Sequence, residues 1–305
     1  MREITLALGG GGIKGFAHVG VLRVLEREGF RIRAIAGTSA GGMVGACYAA
    51  GSSPDELERC LLEMDQDRLY ARQPGDGPAM MGLGGVLNML NQLLGEKTFQ
   101  DVRLPLAVTA VNLETAQLLA LRRGRLLDAV LATIAVPGVF PPRRWEGQTL
   151  VDGGILDPVP VALARYLAPS NPVVAVVLSP PASEWVRPTP PRLFASLPFV
   201  SSYLGRMRLA QALNIFLRSI DIAGLELTEL RLQVDQPEVI IRPAVPHIGF
   251  MDSVNVSEVV GLGEQAAIEA LPDLRRAVGL RGWFSQRASR RHLPKTVLDW
   301  EKDCE

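Results

Sequence analysis

Ser39 lies in Gly37-Thr38-Ser39-Ala40-Gly41, a G-x-S-x-G pattern. Flanking glycines let a strained strand-to-helix turn push a serine hydroxyl out of a sheet, where it can attack a carbonyl. Such a serine needs a base and hydrogen-bond donors for the oxyanion. Leu150-Val151-Asp152-Gly153-Gly154 places an acid at the end of a short apolar run, followed by glycines that permit close approach, so Asp152 is the candidate base. The candidate donors are the backbone N–H groups of Gly10, Gly11 and Gly12, in a glycine loop ahead of a helix, where exposed N–H groups favour negative charge. Gly10, Gly12 and Gly15 also satisfy G-x-G-x-x-G, but the second strand ends Ile35-Ala36-Gly37 without the acid a dinucleotide ribose requires. A P-loop fails as well, because Gly15 follows Lys14 where Ser or Thr should stand.

Two residues compete for the role of base. Asp157 immediately precedes Pro158, a pattern that reads as the cap and first turn of a helix. His247 gives a Ser…Asp…His order, but it sits beside Pro246 with no acid in its own motif. His18, within the first helix, reads as structural, and Lys14 as an anchor of the glycine loop at least as readily as a phosphate contact. Arg143 and Arg144 read as a solvated pair more readily than as a contact to an anionic head group at the cleft mouth, and Met80, Met81 and Met89 as core fillers or an adaptable acyl pocket.

The elements that must position these groups follow from periodicity. Ile4–Leu8 is an apolar run ending in glycines, and Phe16, Val19, Leu22 and Leu25 then recur at helical spacing. Ile32–Ala36 is a second strand leading into the elbow, and Met43 to Ala50 a small-residue helix stopped by Gly51. Runs at Leu106–Val111 and Val173–Leu178, with a helical stretch between Leu126 and Val136, continue the alternation of an α/β fold with a largely parallel sheet. The helix around Val86–Leu94 and the Pro- and aromatic-rich stretch from Ser179 to Leu204 read as core helix and surface connection, with flaps over a cleft as the minority reading.

Together the three motifs resemble those of the patatin-like phospholipase family, in particular its compact bacterial members and the catalytic domain of neuropathy-target-esterase-like lysophospholipases. Gly10-Gly11-Gly12-Ile13-Lys14-Gly15 matches the oxyanion loop, Gly37–Gly41 the elbow and Asp152-Gly153-Gly154 the D-G-[GA] motif. Asp157 departs from the family, whose members commonly carry Asn there. The resemblance implies a three-layer α/β/α sandwich with a mostly parallel central sheet. It also implies a Ser39/Asp152 dyad that cleaves fatty-acyl esters of phospholipids or lysophospholipids through an acyl-enzyme, without metal or other cofactor. A thioesterase or transacylase using the same dyad, or a non-catalytic lipid-binding protein on this fold, are the alternatives.

The resemblance spans about the first 270 residues of 305, so residues 1–280 are taken as one domain and 281–305 as a tail. Lys+Arg and Asp+Glu balance at 32 each, which provides no general field for nucleic acid or an anionic membrane, so any membrane contact is local and peripheral. Cys47, Cys60 and Cys304 have neither metal-ligand nor disulfide-framework spacing. With no signal peptide or spanning segment in view, the expected location is the cytoplasm.

Overall fold

A computed structural model describes residues 2–73, 77, 79–181 and 203–279. Strand β1 (Arg2–Leu8) leads through a 3-10 turn (Gly12–Phe16) into helix α1 (Ala17–Arg27). Strand β2 (Phe30–Gly37) leads into α2 (Ala40–Ala49), followed by α3 (Pro54–Leu62) and α4 (Gly84–Leu94). Then come β3 (Leu106–Asn112), β4 (Gln117–Leu121), α5 (Leu126–Thr133), β5 (Arg143–Trp145) and β6 (Gln148–Asp152). The chain continues with α6 (Val161–Leu167), β7 (Val173–Val176), α7 (Tyr203–Asp235), β8 (Val239–Ile241), α8 (Val256–Glu269) and α9 (Leu271–Ala277). The strands form one sheet in the order β5-β6-β3-β2-β1-β7-β8, with β4 added to β3. The β1–β2, β1–β7, β2–β3 and β7–β8 pairs are parallel, and those of β3 with β4, β3 with β6 and β5 with β6 are antiparallel.

The two sheet faces are built differently because successive side chains along a strand point to opposite sides. Ala107, Ala36, Ala7 and Ala175 are register partners across β3, β2, β1 and β7. This row of small side chains lets α6 lie close to the sheet, and its Val161, Ala162, Leu163 and Ala164 share one buried cluster with the alanines. Ile4, Leu6, Leu8 and Ile35 face the other way and pack with α1, α2, α5 and α8 in the larger core. The result is the three-layer α/β/α arrangement expected from the sequence. Helix α4 is part of the larger core, with Leu90 and Leu94 buried, as its apolar spacing suggested. The stretch 182–202 and the tail from 280 lie outside the described residues, so neither the flap reading nor the tail is tested there. Among the described residues no helix is long and apolar enough to cross a membrane.

Helix α1 must be held firmly, because its N-terminus carries the glycine loop. It crosses α8 at glycine contacts: a Cβ on Gly20 would stand 2.0 Å from the Val260 carbonyl oxygen, and one on Gly263 would stand 1.9 Å from that of Ala17. Arg23 then ties α1 to both neighbours, reaching Asp55 at 2.9 Å, Glu58 at 2.6 Å and Glu264 at 2.7 Å. Gly20→Val should therefore force the helices apart and cost about 1–3 kcal/mol or more. Gly261→Ala, on the same α8 but with open space around it, should leave stability unchanged or raise it. Thermal melting of the two variants checks this, and equal melting temperatures would remove the close-packing explanation.

Candidate active site

Two strands converge on one edge of β3. Val108 pairs with Gly37 of β2 and Ala110 with Asp152 of β6, while β4 occupies the opposite edge at both positions through Leu121 and Leu119. Because β2 is parallel to β3 and β6 antiparallel, their C-terminal ends point at each other, about 7 Å apart along β3. The elbow after β2 and the acid closing β6 therefore meet, although 113 residues of sequence separate Ser39 from Asp152.

Ser39 has φ 53° and ψ −125°, a conformation that costs a non-glycine residue about 1–3 kcal/mol. The surroundings hold it there. A Cβ on Gly41 would stand 2.2 Å from the Leu8 carbonyl oxygen, so only glycine permits the turn to press against β1. The Ser39 N–H donates to Thr133 Oγ1 at 2.9 Å, and the Thr38 N–H donates to the Leu8 carbonyl at 3.0 Å. The Thr38 hydroxyl donates to the Asp157 carbonyl at 2.8 Å, which leaves Thr109 to donate to it at 2.7 Å.

The Asp152 carboxylate is buried, with the Ser39 side chain close enough to act on its protonation and the Gly154 N–H donating to its Oδ1 at 2.7 Å. Burial raises its pKa to about 6, with Ser39 and the Gly154 N–H pulling the other way. The glycine loop closes the third side, where a Cβ on Gly10 would stand 3.1 Å from Cβ of Ser39. The Gly10 N–H is already engaged, donating to the Pro158 carbonyl at 3.0 Å, and the Ile13 N–H donates to Phe250 at 3.1 Å. Among the described contacts the N–H groups of Gly11 and Gly12 have no protein acceptor, and Gly12 takes φ +60°, a left-handed conformation that suits glycine. An apolar cleft of about 500 Å³, counting its open mouth, has Ser39, Ala40 and Gly12 in its lining together with Phe16, Met43, Leu61, Val86, Met89, Phe140 and Phe250.

His18 is fully buried with Nε2 2.8 Å from the Gly9 carbonyl oxygen, and burial pushes its pKa down to about 4, so the neutral ring anchors the glycine loop. Lys14 is half-buried under the influence of Asp221 and Asp252, which fits anchoring. His247 is exposed, with no hydrogen bond to Ser39 or Asp152. Arg143 and Arg144 belong to β5 and do not line the cleft, while Met89 does and Met80 and Met81 do not.

Asp157 corrects the sequence reading: α6 begins at Val161 with Pro160 as its cap, and Asp157 is a buried residue of the connection before it. Its N–H bonds back to the Gly153 carbonyl and the next carbonyl accepts from Gly10, so the segment is committed before a helix can start. Thr38, Thr109 and Thr133 were not singled out from sequence. Thr38 stands inside the elbow motif, but nothing local marks the other two.

Among the described residues no group of three His, Cys, Asp or Glu could hold a metal ion. Residues 6–165 match the family model for patatin-like phospholipases, a span that contains all three motifs. An uncharacterized NTE family protein of Mycobacterium tuberculosis is 35% identical over 162 residues, covering 52% of this chain and 45% of that protein. A second from the same species is 28% identical over 297 residues, 90% of this chain and 48% of that protein. Mouse patatin-like phospholipase domain-containing protein 6 is 28% identical over 182 residues, 57% of this chain but 13% of that protein. The chain thus spans about half the length of its mycobacterial relatives. VipD from Legionella pneumophila shares the fold, with a TM-score of 0.52 at 14% identity over 89% of this chain and 67% of that one. With the family match extending over more than half of its length, the chain belongs to the patatin-like phospholipases.

Proposed function

We propose that the protein hydrolyses fatty-acyl esters of phospholipids or lysophospholipids, with Ser39 as nucleophile and Asp152 as general base. The observation that carries this reading is the strained Ser39 in the lining of an apolar cleft, facing a buried carboxylate. The acyl chain occupies the cleft. The Ser39 hydroxyl adds to the ester carbonyl while its proton passes to Asp152, and Gly11 and Gly12 donate to the oxyanion. Gly10, with its N–H engaged, serves by close approach. The tetrahedral adduct collapses, the leaving alcohol takes the proton from Asp152, and water then releases the fatty acid by the same route. No metal enters any step. Lipid analysis after incubating the full chain with mixed phospholipid and lysophospholipid vesicles tests the reading; free fatty acid with the matching deacylated lipid is expected. Unchanged lipids beside hydrolysed acyl thioesters would instead favour a thioesterase.

Asp152 must be ionised to accept the proton, and its folded pKa of about 6 lies above the usual carboxylate range. Hydrolysis of a soluble ester should therefore fall about tenfold per unit below about pH 6. The raised value also means that the native state holds this proton more tightly than the unfolded chain, so stability declines as pH rises from about 4 to about 6. Activity should thus rise over the window in which this group's contribution to stability declines. A pH–rate profile flat down to about pH 4.5 would exclude a base with this burial.

A further inference from the structure

Three loops make up the site, and one short segment outside it touches all of them. The Asp157 carbonyl accepts from the Thr38 hydroxyl of the elbow at 2.8 Å. The Pro158 carbonyl accepts from the Gly10 N–H of the glycine loop at 3.0 Å, and the Asp157 N–H donates to the Gly153 carbonyl, beside Asp152, at 2.9 Å. Moving this segment therefore moves the nucleophile, the donors and the base relative to one another.

One side chain of the segment is unusual. Asp157 is 1% exposed, and its Oδ1 meets no hydrogen-bond partner among the described residues. Arg231 and Asp235 of α7 are the charged groups acting on it. Arg231 donates to the Leu156 carbonyl at 3.1 Å and makes no ion pair with Asp157 among the described residues. Asp235 is itself buried, with both carboxylate oxygens unpartnered among the described residues. Behind them Arg165 of α6 is held by Glu238 at 2.7 Å and by the Asp235 carbonyl at 3.2 Å.

An ionised carboxylate in such a place is strongly disfavoured unless it is paired, and the ordinary escape is to take a proton. We infer that Asp157 is a positioning residue: as a neutral acid it holds the segment that ties the glycine loop, the elbow and the base turn together, and ionising it releases them. Burial raises its pKa to about 8, with Arg231 opposing and Asp235 adding to the rise. A carboxylate formed there would be drawn toward water or Arg231, taking from Thr38 and Gly10 their backbone acceptors. The inference rests on the reading of Ser39 as nucleophile, and it adds an alkaline limit to the acidic one set by Asp152.

The test uses the full chain, with the rate of covalent labelling by a fluorophosphonate followed against pH alongside thermal melting. Wild-type labelling should fall about tenfold between about pH 7 and about pH 9, following the neutral fraction of one acid. Asp157→Asn, which keeps the shape of the neutral acid, should label at a rate comparable to wild type at neutral pH and lose that fall. Stability has its own sign. The native acid holds its proton to about pH 8 whereas the unfolded one releases it near pH 4, so this group costs the wild type stability across that window and costs the Asn variant none, while Asp152 contributes equally to both. The melting difference between them should widen from about pH 4 to about pH 8 and then stay constant. A parallel alkaline fall in Asp157→Asn, or a melting difference independent of pH, overturns the inference. Should that variant fail to fold, Asp235→Asn removes the neighbouring charge and must shift the alkaline limb of labelling to lower pH; an unmoved limb overturns it equally. Labelling that persists in Ser39→Ala would instead mark failure of the nucleophile assignment, which the melting readout does not depend on.

Discussion

Ser39→Ala should abolish covalent labelling by a fluorophosphonate and lower ester turnover by about 10⁴-fold or more. The expectation rests on position more than on residue type. Ser39 combines a positive φ at the first turn of α2 with a place in the cleft lining and a buried carboxylate beside it. Alanine keeps the Cβ and the small volume that the turn accommodates, so the variant should fold and melt close to wild type. Labelling rate, turnover and melting temperature on one preparation separate chemistry from folding. Residual labelling at another serine would overturn the assignment, and a large fall in melting temperature would mean that the hydroxyl serves the structure.

Asp152→Asn should lower kcat by about a thousandfold or more while leaving the cleft intact. The amide is nearly isosteric and keeps an oxygen for the Gly154 N–H, but it cannot accept the serine proton. His247→Ala should keep at least about a tenth of wild-type activity, a loss under about 1.4 kcal/mol in the barrier. The contrast follows from burial and contact: Asp152 is 5% exposed and meets Ser39, whereas His247 is exposed and meets neither partner. kcat/KM on one soluble ester, measured for both variants after their folding has been verified, decides between a dyad and a triad. If His247→Ala falls as far as Ser39→Ala while Asp152→Asn stays active, a histidine-based mechanism replaces the dyad.

Much of this fold was legible because its signals are local. Apolar runs ending in glycines marked β1 and β2, and helical spacing marked α1 and α4, since such patterns reflect which face each element buries. The three-residue β5 and the β3–β4 pairing carried too little pattern to be read, and Asp157 was misjudged because Asp-Pro looks the same before a helix as in a buried connection. The Gly10 N–H could not be seen to be engaged, because its acceptor, Pro158, lies far along the chain.

By itself the sequence determined the chemistry on offer: a serine between glycines, an acid before glycines and a loop of backbone donors, each decided by neighbours within a few residues. Only the tertiary structure decided that they meet. Parallel β2 and antiparallel β6 share one edge of β3 and end facing each other, an outcome of strand direction and register that no local pattern encodes. The same packing buries Asp152 and Asp157 in different surroundings, one beside a hydroxyl and an N–H, the other near Arg231 and Asp235. Two aspartates five positions apart thereby acquire different affinities for a proton, because desolvation and neighbouring charge belong to the folded environment and not to the residue type.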